Sequence, residues 1–254
     1  MLNLRLGPPR ALAIAAVIGV ITATVGVAAA TELAILRNEI DDAYFARDAA
    51  RIEAVRAELL APGRADGEAD TALYYAAYAR FRQSLVVAAD KKAARRYLDG
   101  CIEDLETLVG RRPDNARAHA MLASCYGTSA QYYLVRAAGR GIQAGSHLDE
   151  ARRLAPDDPW VILQDAISDY SRPVAFGGNK ERAREKLQRA AALFAASHAP
   201  GETSGVWGEA EAWLYLGRLH RDAGRSVEAR QAFEKALALA PANRDAQEEL
   251  AALK

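Results

Sequence analysis

The sequence is poor in cysteine and aromatic residues and carries no net charge. Its 254 residues contain only Cys101 and Cys125, too few for a disulfide framework or, alone, for a metal site. Both stand on helical patterns among apolar residues, so two buried free thiols are expected; a disulfide is the alternative if the chain is exported. Aromatics make up 7% of the chain, and runs of alternating Val, Ile and Thr are missing, which argues against a sheet. The 33 basic and 33 acidic side chains cancel. No basic stripe marks a nucleic-acid surface, and no block of like charge forms a tail.

Motifs for chemistry are also missing. Neither G-x-x-x-x-G-K-[ST] nor G-x-S-x-G occurs. Gly139, Gly141 and Gly145 in "GRGIQAG" have no strand before them, as a dinucleotide loop requires. His119, His147, His198 and His220 include no pair three or four residues apart, the spacing of a helical metal site. His119 and His220 read as packed aromatic substitutes, His147 as the flank of a helix, and His198 as a loop residue. The acid pairs Asp41-Asp42, Asp157-Asp158 and Glu248-Glu249 are adjacent and point apart on a helix, as caps or solvated faces. No catalytic, cofactor-binding or metal-ligating residue is assigned, and the chain is expected not to be an enzyme.

What is present begins with a leader. Arg5 and Arg10 precede "ALAIAAVIGVITATVGVAAA", an uncharged run over 11–30 with Ala28 and Ala30 before Thr31. Residues 1–30 have the form of a signal peptide; an uncleaved N-terminal membrane anchor is the alternative. Both place the remainder outside the cytoplasm, so a periplasmic location is expected, with inner-membrane attachment only through 11–30. No cysteine follows the run, which argues against a lipid anchor. Without residues 1–30 the net charge is about −2.

From residue 31 the composition and spacing predict helix after helix. Ala, Leu, Arg and Glu dominate, residues that lose little freedom in a helix. Breaks fall at 61–70, 110–115, 155–159, 171–179, 198–205 and 240–243, where Pro, Gly and Asp or Asn cluster. Residues 31–69 read as an N-terminal helical region and linker. Tyr74, Tyr75, Tyr78 and Phe81 read as core, with a partner surface as the alternative.

The C-terminal stretch repeats a pattern seen earlier. Trp213, Leu216 and Gly217 give W-x2-L-G, Ala229 and Phe233 give A-x3-F, and Pro241 closes the unit. Ala144-Leu148-Ala151-Pro156 and Cys101-Leu105-Leu108-Pro113 repeat the second half, and Ala183-Leu187-Ala190 repeats it without the proline. This resembles the tetratricopeptide repeat (TPR), with His220 where a tyrosine is usual. Units are expected at about 70–113, 115–156, 158–199 and 206–241, with a capping helix over 243–253. The second-half patterns begin at Cys101, Ala144, Ala183 and Ala229, spaced by 43, 39 and 46 residues, longer than the plain TPR period of about 34 residues. TPRs with lengthened inter-helix turns are the preferred reading, and a HEAT- or armadillo-like solenoid the alternative. The fold class is all-α: a right-handed superhelical solenoid of stacked antiparallel helix pairs.

The resemblance implies a non-enzymatic scaffold that holds a peptide or protein segment in a concave groove lined by the first helix of each unit. In the last unit, Glu211, Leu214, Arg218, Arg221 and Asp222 match inner-face positions. The insertion 127–141, with Tyr132, Tyr133, Arg136 and Arg140, is read as a helix extension or a loop over the groove that contacts a partner. The alternative function is an accessory subunit of a solute-uptake system, binding a substrate-binding protein or a small ligand. No nucleic-acid partner is expected. Finally, "PVAFGGNKE" at 173–181 is read as an elaborated turn between two helices of one unit. Its glycines permit positive φ, Asn179 caps the next helix and Phe176 tucks against the array; an anion at that helix N-terminus beside Lys180 is the lesser reading.

Overall fold

The protein is described here by a computed structural model covering residues 32–133, 135–197 and 207–253. The expected leader and His198 lie outside them. No helix among the described residues is long and apolar enough to cross a membrane. They form helices without strands: α1 (32–45), α2 (Ala49–Leu59), α3 (Asp66–Val86), α4 (Lys91–Arg111), α5 (Ala116–Ala130), α6 (Ala137–Leu154), α7 (Pro159–Ser171), α8 (Lys180–Ala196), α9 (Glu209–Asp222), α10 (Ser226–Leu239) and α11 (Arg244–Ala252).

Side-chain caps begin many of these helices. Asp48, Asp90, Asn115, Asp158, Asn179 and Asn243 each accept a backbone N–H from the first turn that follows, satisfying donors that have no partner inside the helix. Pro159 occupies the first turn of α7, where its missing N–H costs nothing.

Successive helices pack as antiparallel hairpins: α3 with α4, α5 with α6, α7 with α8, and α9 with α10. Neighbouring hairpins join through α4–α5, α5–α7 and α8–α9. Stacked in this way, each hairpin buries an apolar face that it could not bury alone. The result is an all-α superhelical solenoid whose first helices, α3, α5, α7 and α9, form the inner layer. One cluster of buried side chains runs from Leu33 to Ala232. A smaller one joins Leu214, Ala229, Phe233, Ala236 and Ala246 at the C-terminal end.

The last hairpin shows why its signature residues stand where they do. A Cβ at Gly217 would lie 2.3 Å from the Phe233 ring, so only glycine lets that ring pack against α9. Gly224 takes φ +72° and reverses the chain between α9 and α10.

Two expectations are corrected. Cys101 and Cys125 are not free thiols: they form a disulfide between α4 and α5, with Cα atoms 6.4 Å apart. Each helix pattern shows that its cysteine is buried, but not which residue faces it across the inter-unit contact. In 173–181, Phe176 is 75% exposed rather than tucked in. The turn needs no apolar anchor because its backbone closes on itself: Phe176, Gly177 and Gly178 N–H groups donate to the Pro173 and Val174 carbonyls at 2.9–3.2 Å. Gly177 has φ +87°, and a Cβ at Gly178 would lie 1.9 Å from the Arg172 carbonyl oxygen. Lys180 pairs with Asp222, so its charge is already matched within the protein.

Candidate functional site

The inner layer of α3, α5, α7 and α9 is the place to look for a ligand, and the chain's own α1 packs against α3 and reaches Trp207, just ahead of α9. Leu33, Leu36, Ile40 and Ala43 are buried on one side of α1, as their three- and four-residue spacing requires. They belong to the same cluster as Tyr78 of α3, Trp160 of α7 and Ala212 of α9.

A buried polar chain ties α1 to the first and last hairpins. Arg82 of α3 is only 1% exposed. Its Nη1 and Nη2 donate to the two carboxylate oxygens of Glu211 on α9 at 2.9 and 2.7 Å, and its Nε donates to Tyr78 Oη at 2.7 Å. The Tyr78 hydroxyl in turn donates to Asp41 of α1. Arg82 Nε also lies 3.6 Å from Asp41 Oδ1, and its guanidinium stands 4.2 Å from the Tyr44 ring centroid. One guanidinium thus serves two carboxylates. Glu211 takes the bidentate geometry, the stronger one. Burial pushes the Asp41 carboxyl up to about 6, against the opposing pull of Arg82 and Tyr78.

An aromatic nest lies beside this chain. Trp207, just before α9, stacks on Trp160 at 3.8 Å and meets Tyr74, Tyr75 and Tyr78 edge-on at 5.4–6.1 Å. Arg37 of α1 stands 5.3 Å over Trp207. Beyond the nest, the turn after α1 reaches the C-terminal helix. Arg47 bridges to Asp245 at 2.9 Å and to Glu248 at 2.7 Å on α11. It does so from a left-handed backbone, φ +59°, unusual for a residue with a side chain. Contacts between residues about 130 to 200 positions apart therefore close the array upon itself.

The expected partner-binding residues divide. Glu211 and Leu214 do not face an open groove, which corrects their assignment. Glu211 is 6% exposed and neutralises Arg82, while Leu214 is 2% exposed and packs with Phe233 and Ala246. Arg218 and Arg221 pair with α11 through Asp245 and Glu249. Asp222 is shared by Lys180 and Arg221. The segment 127–141 is a helix extension around a turn, not a loop over the groove. Tyr133 and Arg140 both bind Asp99 on α4, Arg140 at 3.0 Å, and Arg140 also donates to Ser129 Oγ at 2.7 Å. Tyr132 packs against the main core, and Arg136 is exposed at the head of α6.

Sequence reasoning missed Asp41, Arg47, Arg82 and Trp207. Arg82 carried a usable signal: with Arg80 it is one of two charges inside the long, mostly apolar run 72–87. Such a charge needs a buried partner.

Other polar clusters read as structural. His119 Nδ1 lies 3.0 Å from His147 Nδ1, and His119 Nε2 lies 3.1 Å from the Pro113 carbonyl. That carbonyl fixes the His119 proton on Nε2, so the His147 Nδ1–H donates to His119. Burial, reinforced by the neighbouring His119, holds His147 below its usual value. No group of three or more candidate ligands for a metal ion occurs among the described residues. Asp169 is nearly fully buried beneath Arg182 and Lys186, each 2.7 Å away. Burial opposes its charge, but these hydrogen bonds outweigh it and hold the carboxyl below the usual range. The cluster pins α7 to α8.

Stacked hairpins with a glycine-and-ring contact between paired helices define a helical-repeat scaffold. Residues 210–243 match the family model described as tetratricopeptide repeat. No curated protein matches the chain. Among solved structures, a thermophilic TPR protein of Thermus thermophilus is similar at 24% identity, over 81% of this chain and 88% of its own, with a TM-score of 0.53. The HusA haemophore from Porphyromonas gingivalis is similar at 20% identity, over 74% of this chain and 92% of its own, with a TM-score of 0.49. Residues 210–243 thus match a tetratricopeptide repeat, and the array around them resembles a TPR protein in fold. TPRs generally mediate protein–protein interactions, and proteins of this fold are typically non-enzymatic scaffolds.

Proposed function

We propose that this protein is a non-enzymatic interaction scaffold of the bacterial cell envelope that binds a peptide or protein segment on its concave face. The observation that carries the reading is the repeat array itself, with its TPR match at 210–243. The inner layer presents a buried guanidinium and an aromatic nest, features suited to holding a helix and not to turning over a substrate. Export is supported by the form of residues 1–30. The Cys101–Cys125 disulfide adds to it, since disulfides persist mainly in oxidising compartments.

The test is fractionation of cells producing the full chain, with crosslinking before lysis. A crosslinked protein in the periplasmic or membrane fraction, attached through residues of α3, α5, α7 or α9, is the expected result. A cytoplasmic chain with reduced cysteines would remove the envelope part. A thermal shift with small metabolites, and no crosslinked protein, would favour the solute-uptake reading instead.

A further inference from the structure

We propose that α1 is an exchangeable internal ligand of the concave face, and that the partner segment is an amphipathic helix that replaces it and copies its chemistry. This rests on the scaffold reading above. The seat defines the occupant. Apolar residues at the spacing of Leu33, Leu36, Ile40 and Ala43 fill the core side. A carboxylate at the place of Asp41 meets Tyr78 and Arg82. A cation at the place of Arg37 covers Trp207, and another at the place of Arg47 meets Asp245 and Glu248.

Several features make α1 replaceable while the array stays folded. Each later helix pair is closed within itself, and neighbouring pairs are in contact without α1. Arg82 has its bidentate partner, Glu211, outside α1. The clamp at the far end consists of ion pairs with exposed members: the Arg47 and Glu248 side chains are 40% and 63% exposed. Exposed pairs hold weakly. The turn that carries the clamp stores the cost of a left-handed arginine. Asp41 must share a guanidinium that Glu211 already occupies. A helix seated by good apolar contacts but held by contested polar ones is a ligand that a better-matched helix can displace.

Hydrogen exchange on the native full chain is the first test. Residues 32–45 are expected to exchange at least about tenfold faster than α3 and α9, and Arg47→Ala, which removes the clamp and keeps the left-handed backbone strained, should widen the gap while leaving α10 unchanged. Exchange of 32–45 only at the slowest, global rate would overturn the proposal. The second test adds a fluorescein-labelled peptide of residues 32–47. It should bind the Ile40→Asp chain at least about tenfold more tightly than the native chain, and an Asp41→Lys peptide should lose about tenfold in affinity. Equal binding to both chains, binding to neither, or indifference to the Asp41→Lys change would overturn it. If the Ile40→Asp chain fails to fold, the exchange result decides alone. Both readouts concern α1 itself, so failure to find an external partner would count against the scaffold reading and leave these results standing.

Discussion

The last hairpin and the seam that closes the array are held by opposite chemistry. In α9–α10, residues 16 positions apart meet through shape, with the Phe233 ring lying on Gly217. At the seam, Arg82 meets Glu211 at a separation of 129 residues and Arg47 meets Glu248 at 201, and there the bond is between charges. Apolar contacts within a hairpin need only the right sizes at the right spacing. A seam between distant segments gains specificity from charge, because an unpaired buried charge is costly in any wrong arrangement. The hairpin is therefore built to be stable, and the seam to be selective.

The largest expected effect breaks the seam at its centre. Glu211→Ala strips the buried Arg82 of its bidentate carboxylate, leaving only Tyr78 and the more distant Asp41, and should destabilise the chain by about 3–5 kcal/mol, measured by urea unfolding. Arg82→Met combined with Glu211→Leu should return to within about 1–2 kcal/mol of the native chain. Phe233→Ala should cost a similar 3–5 kcal/mol or so by emptying the hairpin core, yet no second substitution at Glu211 should rescue it. Rescue there would erase the distinction between the two regions.

Reducing the Cys101–Cys125 bond, which closes a separation of 24 residues, should cost about 3 kcal/mol. A melt with and without reductant reads this directly, with Cys125→Ser as a control that reductant should not affect. Smaller again is Gly217→Ala, at about 1–3 kcal/mol from overpacking against Phe233. Gly139→Ala in α6, where nothing lies within 4 Å of the new methyl, should instead stabilise by about 0.5–1 kcal/mol. Equal effects at the two glycines would mean that close approach plays no part in the hairpin.

Acidity should act with opposite signs on the seam and on the α5–α6 contact. Asp41 faces Arg82, Tyr78, Glu211 and Arg37, and its carboxyl rises from 3.8 to about 6 on burial. The folded chain thus binds the extra proton, so this residue adds stability as pH falls from about 6 toward 3.8 and withholds it above 6. Relative to Asp41→Asn, the native chain should gain about 1–3 kcal/mol between pH 7 and pH 4. His147 has the opposite sign. Its folded value lies below 6.5, so its contribution is complete above 6.5 and is lost as pH falls further. Comparison with His147→Phe isolates this smallest effect, and a native chain that gained stability there on acidification would contradict the His119–His147 geometry.

Much of the hairpin was legible beforehand. Trp213, Gly217, Gly224, Ala229, Phe233 and Pro241 stand at fixed offsets, and their roles are local. The caps at Asp158 and Asn179 were legible for the same reason: a cap acts on the backbone two or three residues ahead. The candidate site was not. Glu211 and Leu214 sit on positions that line a groove in the repeat pattern, but the pattern does not say that Arg82 and Phe233 arrive to cover them. Phe176 looked like an anchor because it is aromatic, and the turn around it closes through backbone hydrogen bonds instead.

The sequence by itself determined the helices, their caps, the hairpin signature and the all-α stacked architecture, because each depends on residues within about one repeat of one another. Only the tertiary structure decided three things: that Cys101 finds Cys125, that Arg82 is shared between Asp41 and Glu211, and that 32–45 packs against α3 and Trp207 of its own array. The physical reason is the same in each case. Periodicity fixes which face of a helix is buried, whereas the accumulated rotation from hairpin to hairpin fixes what that face meets, and small rotations summed along the array are written in no single residue.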